Sequence, residues 1–439
     1  MTTTDDHPEA GVGAPAGLAA ADESASVRPE GGGHSSPESQ PGRSRKNGGR
    51  RRRKRRRPVY AQSARPSVPT PAPSQPEAEI GVTTLAAAPV VDEAQGRTYA
   101  ALDLGTNNCR LLVATPREYG FRVVDAFSRI VRLGEGVGAS GRLAEPAMRR
   151  AIEALRICSN KLTERKVART RLIATEACRT AENGPEFIAR VREETGLALE
   201  IVSRETEARL AVAGCASLID PNAGGVILFD IGGGSSELVW IDLTPDTTGR
   251  RRRMSDRIRT WASLPVGVVN VSERHGGRHV TREIFEAMVD EVTGLLASFP
   301  DAAALDGAVA AGNIHMLGTS GTVTTLAGVH LDLPRYDRRR VDGTWLSGRN
   351  VAGLVGTLVD MDYEARVAHP CIGRERADLV LAGCAILEAI RRRWPCDRLR
   401  VADRGLREGV LVELMAEDGV WRSRSGRRAQ DRARREGRG

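Results

Sequence analysis

The stretch GVILFDIGGGSSELVWID, residues 225–242, decides how the rest of the chain is read. An apolar run from Val226 to Phe229 ends on a carboxylate, Asp230. Gly232, Gly233, Gly234, Ser235 and Ser236 follow, and then an apolar run resumes. The pattern predicts strand, turn, strand. Glycines lack a Cβ, so their backbone N–H groups approach an anion closely, and the two hydroxyls add donors. An aspartate repels phosphate, so Asp230 makes sense beside phosphate if a cation such as Mg²⁺ stands between them. The alternative is an ordinary glycine-rich hairpin whose Asp serves turn geometry.

A counterpart lies upstream. TYAALDLGTNNCRLLVATP, residues 98–116, has the same order: apolar strand, Asp103, then Gly105, Thr106, Asn107 and Asn108, then a second strand. A third strand follows each, in GFRVVDAFSRIVRLGEG (120–136) and, together with a turn, in RTWASLPVGVVNVS (259–272). Helical spacing predicts helices in 145–165, 184–196, 205–219, 281–299 and 375–394. A third glycine loop, GTSGT at 318–322, is read as following a strand AVAAG (308–312) and opening a helix, with Gly318, Ser320, Gly321 and Thr322 as donors at a helix N-terminus. The duplication is one of architecture rather than of sequence, and it predicts an α/β protein of two lobes with a cleft between them: 97–222 and 223–416.

The bulk numbers set limits. The chain has 439 residues and a net charge of +9. Residues 43–57 carry +11 and residues 419–439 carry +6, which leaves the remainder at −8. Residues 1–96, rich in Pro, Gly, Ser and Ala, predict a disordered tail, and 417–439 a second basic tail. No run of about 18 apolar residues predicts a membrane span. The seven cysteines are scattered without a CxxC pair, as expected of reduced, buried thiols in a cytoplasmic protein.

The Asp-x-Gly-Thr turn, the Asp-x-Gly-Gly-Gly-Ser turn and the Gly-x-Ser-Gly-Thr loop, in this order, resemble those of the actin, sugar-kinase and chaperone superfamily with its two ribonuclease-H-like lobes. ALDLGTNNCRLLVA, TEACRTAEN, IVSRETEARLAVAG, DIGGGSSELV, LPVGVVNVSE, LGTSGTVTTLA, ERADLVLAGCAIL and ADRGLREGVL together resemble, over about 98–416, the exopolyphosphatase / guanosine pentaphosphate phosphohydrolase family, in a short form without the additional C-terminal helical domain. The resemblance implies a Mg²⁺-dependent phosphohydrolase that releases terminal phosphate from inorganic polyphosphate, from guanosine pentaphosphate (giving the tetraphosphate), or from both, as in the stringent response. It places the general base on the Glu before Ala-Arg-Leu, Glu207, with Glu205 as the fallback, although Ser203-Arg204 stands where the family frequently has Ser-Gly. Arg179 would pair with a phosphate oxygen. Asp230 would hold the cation, helped by Asp103 and Glu237. Arg338, Arg339 and Arg340 either line a path for a long polyanion or form solvated surface.

Two other readings stay open on the sequence: a kinase or ATPase of the same superfamily, and an alarmone- or RNA-binding regulator. The second draws on RRRRKRRR at 50–57, which would bind any polyanion, RNA or polyphosphate, by counterion release. A homodimer is the expected assembly, if there is one.

Overall fold

A computed structural model describes residues 96–245 and 253–421. The basic run 43–57, the expected disordered tail up to residue 95 and all but the start of the C-terminal tail lie outside the described residues.

The first sheet is built from β1 (Tyr99–Leu104), β2 (Asn108–Pro116), β3 (Phe121–Ile130), β4 (Arg169–Ala174) and β5 (Glu200–Ile201), in the order β3-β2-β1-β4-β5. The three opening strands are antiparallel neighbours, and β1 pairs with β4 in parallel. The second sheet contains β6 (Gly225–Ile231), β7 (Ser236–Asp242), β8 (Ile258–Leu264), β9 (Ile314–Thr319), β10 (Trp345–Ser347) and β11 (Arg398–Ala402). Its order is β10-β11-β9-β6-β7-β8. Read from β8, that is the first sheet's order again, with β10 added at the far edge. The duplicated opening meander is therefore a duplicated sheet.

β1 and β6 are central, and their apolar residues are buried on both faces, which is why both read as continuous apolar runs rather than alternating ones. On the outer face of the first sheet lie α1 (Val137–Ser140), α2 (Glu145–Glu164), α3 (Glu176–Thr180) and α4 (Gly184–Thr195), with Ile152, Leu155, Phe187 and Val191 in that core. Between the sheets lies α5 (Arg204–Cys215). It gives Leu210 to the core under the first sheet and Ala208, Ala211 and Val212 to the core under the second. A helix buried on two sides has no single apolar stripe.

The second sheet carries α6 (Val268–His275), α7 (Arg282–Leu296), α8 (Ala302–Ala310), α9 (Gly321–His330), α10 (Arg338–Val341), α11 (Gly348–Asp360), α12 (Tyr363–Ala368) and α13 (Val380–Arg393). The last described helix, α14 (Leu406–Glu417), follows β11 in the chain but lies on the first sheet: Val410, Leu411, Leu414 and Met415 share a core with Tyr99, Ala101 and Leu112. It crosses α5 at glycines. A Cβ on Gly214 would stand 1.9 Å from the Gly405 carbonyl oxygen, and one on Gly409 2.0 Å from that of Leu210.

Two expectations are corrected. Residues 308–312 are not a strand. They finish α8 and turn out of it, and the strand before the third glycine loop is β9, Ile314–Thr319. Gly312 and Asn313, both at positive φ, break the helix and restart the chain as a strand. The stretch 259–272, read as strand and turn, ends instead in the start of α6 at Val268: its β-branched valines suggest extended chain, yet the Asn270 side chain accepts from Gly267 N at 2.7 Å and caps a helix.

Candidate active site in the cleft between the sheets

Strand pairing places the first two loops. Asp103 lies opposite Arg110 across β1 and β2, and Asp230 opposite Glu237 across β6 and β7. The duplicated position thus sets an acid across from a base in one sheet and an acid across from an acid in the other, with no hydrogen bond or ion pair between Asp103 and Arg110. Each turn is closed by its own backbone: Gly105 N donates to Asn108 O at 2.9 Å, and Gly232 N to Ser235 O at 3.0 Å. The loops touch each other, since a Cβ on Gly233 would sit 2.9 Å from Thr106 Cβ and 3.1 Å from Asn107 N. That close approach requires glycine.

The third loop enters α9 through Ser320, held at φ 81, with its hydroxyl donating to Ile231 O at 2.7 Å. A fourth loop, residues 403–405, opens α14 beside it, where Thr319 Oγ1 donates to Arg404 O at 2.6 Å. The four loops and the start of α5 enclose a cleft of about 390 Å³.

Most of the residues singled out from the sequence line it: Asp103, Gly105, Thr106, Asn107 and Asn108; Asp230, Gly232, Gly233, Gly234, Ser235 and Glu237; Ser320 and Gly321; and Glu207. Thr322 lines a smaller adjoining cavity of about 70 Å³. Ser236 and Gly318 line neither. The Ser236 hydroxyl donates to Val266 O at 2.7 Å, and Gly318 is packed between Phe229 and Val323. Glu205 does not reach the cleft. Arg338 lines it while paired with Glu408 at 2.7 Å, whereas Arg339 and Arg340 are exposed surface.

Arg179 stands behind the cleft wall rather than in it. Its Nη2 donates to Glu207 Oε2 at 2.9 Å, its Nε to Glu176 Oε2 at 3.1 Å and its Nη1 to Val202 O. Arg204 holds the other oxygen of Glu176 at 2.7 Å. Against the pull of burial, Arg204 and Arg179 keep the Glu176 carboxyl below its ordinary range. Glu207, at the first turn of α5, is 5% exposed. Burial first, and then the charge of Glu237, push its carboxyl up to about 9 despite Arg179. Burial, Glu237 and Asp103 push Asp230 up to about 7. Burial raises Asp103 and Glu237 as well. Glu237 is no solvent-facing strand residue: it is buried, and Ser235 and Ser263 donate to it at 2.8 and 3.0 Å.

These groups suit a hard cation of a particular kind. Among the described residues no three His, Cys, Asp or Glu groups could cage a metal ion. Asp103 and Asp230 do present carboxylates to the cleft, and the buried Asn107 Oδ1 beside them has no partner. One or two carboxylates and an amide oxygen, completed by waters and substrate phosphates, is how Mg²⁺ is normally held.

The sequence reading missed the arginines. Arg110, Arg376 and Arg407 line the cleft, and among the described residues their side chains make no hydrogen bond or ion pair. Arg110 was legible in principle, being the cross-strand partner of Asp103; Arg376 comes from a loop and Arg407 from the first turn of α14, and only the fold reveals that both reach the cleft. The six buried cysteines lie in the cores, all seven are free, and no described helix is long and apolar enough to cross a membrane.

Residues 112–418 match the model of the Ppx/GppA phosphatase family. Exopolyphosphatase 2 of Mycobacterium tuberculosis is 27% identical over 333 residues, covering 72% of this chain and 98% of the relative. The crystal structure of the Aquifex aeolicus Ppx/GppA family member superposes with a TM-score of 0.58 at 29% identity, over 73% of this chain and 98% of that one. An exopolyphosphatase structure from Cytophaga hutchinsonii has the same fold, with a TM-score of 0.63 at 23% identity over 73% of this chain and 98% of that one. With paired sheets, facing glycine loops and a match that runs through both halves, the chain belongs to the Ppx/GppA phosphatase family.

Proposed function

We propose that this protein hydrolyses the terminal phosphoanhydride of inorganic polyphosphate, releasing orthophosphate. The observation that carries this reading is the set of unpaired guanidinium groups of Arg110, Arg376 and Arg407 around a cleft floored by glycine backbone. Unpaired arginines facing bare N–H groups fit a chain of phosphates. The relatives named exopolyphosphatases support the same substrate class.

In this mechanism the loops at Gly105 and Gly232 hold the terminal phosphoryl group, and the unpaired arginines absorb charge on its equatorial oxygens. In its ionised form Glu207 takes a proton from the attacking water, and because burial pushes its carboxyl up to about 9, turnover is expected to climb as pH rises toward that value. The new P–O bond forms to that water as the bond to the next phosphate breaks, and the shortened chain leaves as the anion. Arg179 acts through Glu207, fixing its carboxylate against Glu176, rather than by touching phosphate. A divalent cation held by Asp230 and Asp103, with Asn107, would neutralise the substrate's charge beside these carboxylates. The basic run at 43–57 would tether long chains near the cleft.

The test is phosphate release, with and without Mg²⁺, from short polyphosphate, long polyphosphate, guanosine pentaphosphate and ATP side by side. Release from polyphosphate supports the reading. Release from guanosine pentaphosphate alone would assign the other activity in the family's name, and release from ATP alone would assign an ATPase.

A further inference from the structure

A clasp beside the cleft joins the two halves. Arg132 follows β3 and stands at φ 47, a left-handed conformation that a non-glycine residue adopts at some cost. Its guanidinium grips both oxygens of Asp378, Nη1 at 2.8 Å and Nη2 at 3.0 Å, and Nη2 also donates to Glu375 O at 3.2 Å. A bidentate guanidinium–carboxylate pair fixes direction as well as distance.

Each end of this clasp is tied to phosphate-facing groups. On the first half, Val131 N and Arg132 N both donate to Asn107 O, at 2.9 and 3.0 Å, and Gly134 N donates to Thr106 O at 2.9 Å. The turn that carries Arg132 is therefore bonded to the backbone of the first glycine loop. On the second half, Glu375 and Asp378 flank Arg376, one of the unpaired cleft arginines.

The segment around Arg376 is clamped from behind. Ser272 Oγ donates to Asp378 O at 2.8 Å. Arg366, 1% exposed, donates to Ala377 O at 2.9 Å, to Gly277 O at 3.2 Å and to Arg278 O at 2.6 Å. A Cβ on Gly277 would lie 1.9 Å from Asp378 O. With its rear held this tightly, the segment's remaining freedom is motion relative to the first half, which the bidentate Arg132–Asp378 pair opposes. A second strut runs beside it, from Gly136 N to Glu273 Oε1 at 2.9 Å.

We propose that Arg132 is a positioning residue for substrate: through Asp378 it sets Arg376 against the first glycine loop, so that the two halves hold one phosphate group between them. The proposal rests on the phosphohydrolase reading for its substrate but not for its geometry. It predicts a defect in binding that vanishes when Arg376 is already gone.

The experiment is a double-mutant cycle on Arg132→Asn, Arg376→Ala and the pair, read by tripolyphosphate hydrolysis and, separately, by equilibrium binding of tripolyphosphate. Asn is chosen because it tolerates the left-handed backbone at 132. Asp378→Asn breaks the same clasp from the other side without touching that backbone, and melting curves check that each variant is folded. Arg132→Asn and Asp378→Asn are each expected to raise KM about tenfold, the effect of one charge-assisted hydrogen bond, with kcat within about twofold, whereas Arg376→Ala is expected to raise KM at least as much and to lower kcat as well. The Arg132→Asn/Arg376→Ala pair is expected to be no worse than Arg376→Ala. Multiplicative KM effects in the pair, a normal KM in Arg132→Asn and Asp378→Asn, or a loss confined to kcat would each overturn the proposal. If the wild type hydrolyses no polyphosphate yet binds it with the same coupling, the activity reading fails and the clasp stands. If it hydrolyses polyphosphate but the two arginines show no coupling, the clasp fails and the activity reading stands.

Discussion

At the scale of single residues the site is defined by carboxylates held away from water. Glu207, pushed up to about 9, and Asp230, pushed up to about 7, keep protons in the folded chain that the unfolded chain releases near pH 4. Because their folded values are raised, stability is expected to fall as pH rises from about 5 toward 9 in the absence of divalent cation. Melting temperature against pH checks this, and Asp230→Asn should flatten the slope while abolishing cation-dependent hydrolysis. Glu207→Gln should lose at least about 10²-fold in turnover, the lower range for removing a general base, yet melt no lower than the wild type at pH 8. A stable variant with full activity would move the base elsewhere. Asp103 and Asp230 stood out as acids beside bare backbone, whereas Glu207, one of two acids in the first turn of a helix, was singled out only by the resemblance of its Glu-Ala-Arg-Leu segment. Arg179 was legible as a residue but not in its placement. Nothing in EACRTA says that its guanidinium faces Glu207 rather than the open cleft, since that follows from where the start of α5 is placed beside α3.

At the scale of elements, pattern reading succeeded where the hydrophobic period was clean and failed where small or β-branched residues blurred it. The two opening meanders follow from apolar runs broken by Asp and Gly. The strand assigned at 308–312 failed because Ala and Val suit either state, and only the turn at Gly312 and Asn313 decides between them. The valines of α6 misled in the same way. The close crossing of α5 and α14 had no signature beyond two glycines in otherwise good helical sequence. A methyl group at either has nowhere to go, because what it meets is backbone. Gly409→Ala is expected to destabilise by on the order of 3 kcal/mol, the upper end for overpacking, as read by urea unfolding. Gly353→Ala on α11, where a Cβ meets nothing within 4 Å, should leave stability unchanged or slightly raised.

At the scale of the whole molecule, the charge is divided: a mildly acidic body between basic ends. Removing residues 1–95 is expected to raise KM for long polyphosphate and to leave KM for short chains unchanged, with the difference shrinking as salt is raised. An equal effect on both lengths would separate the basic run from substrate capture. The two-lobed plan was legible from the repeated strand–turn–strand motif alone. The return of α14 to the first sheet was not, because no local pattern states which of two apolar surfaces a helix will cover.

That return has a consequence for how the protein is made. Tyr99 OH meets Asp418 Oδ2 at 2.7 Å, and the inner face of the first sheet is covered by Val410, Leu411 and Leu414. The half that leaves the ribosome first therefore keeps an open apolar face until the final helix has been synthesised. On ribosome-stalled chains, the first half should become resistant to protease only once residues 406–417 have cleared the exit tunnel. A peptide of that helix added in trans should protect a chain truncated at residue 405.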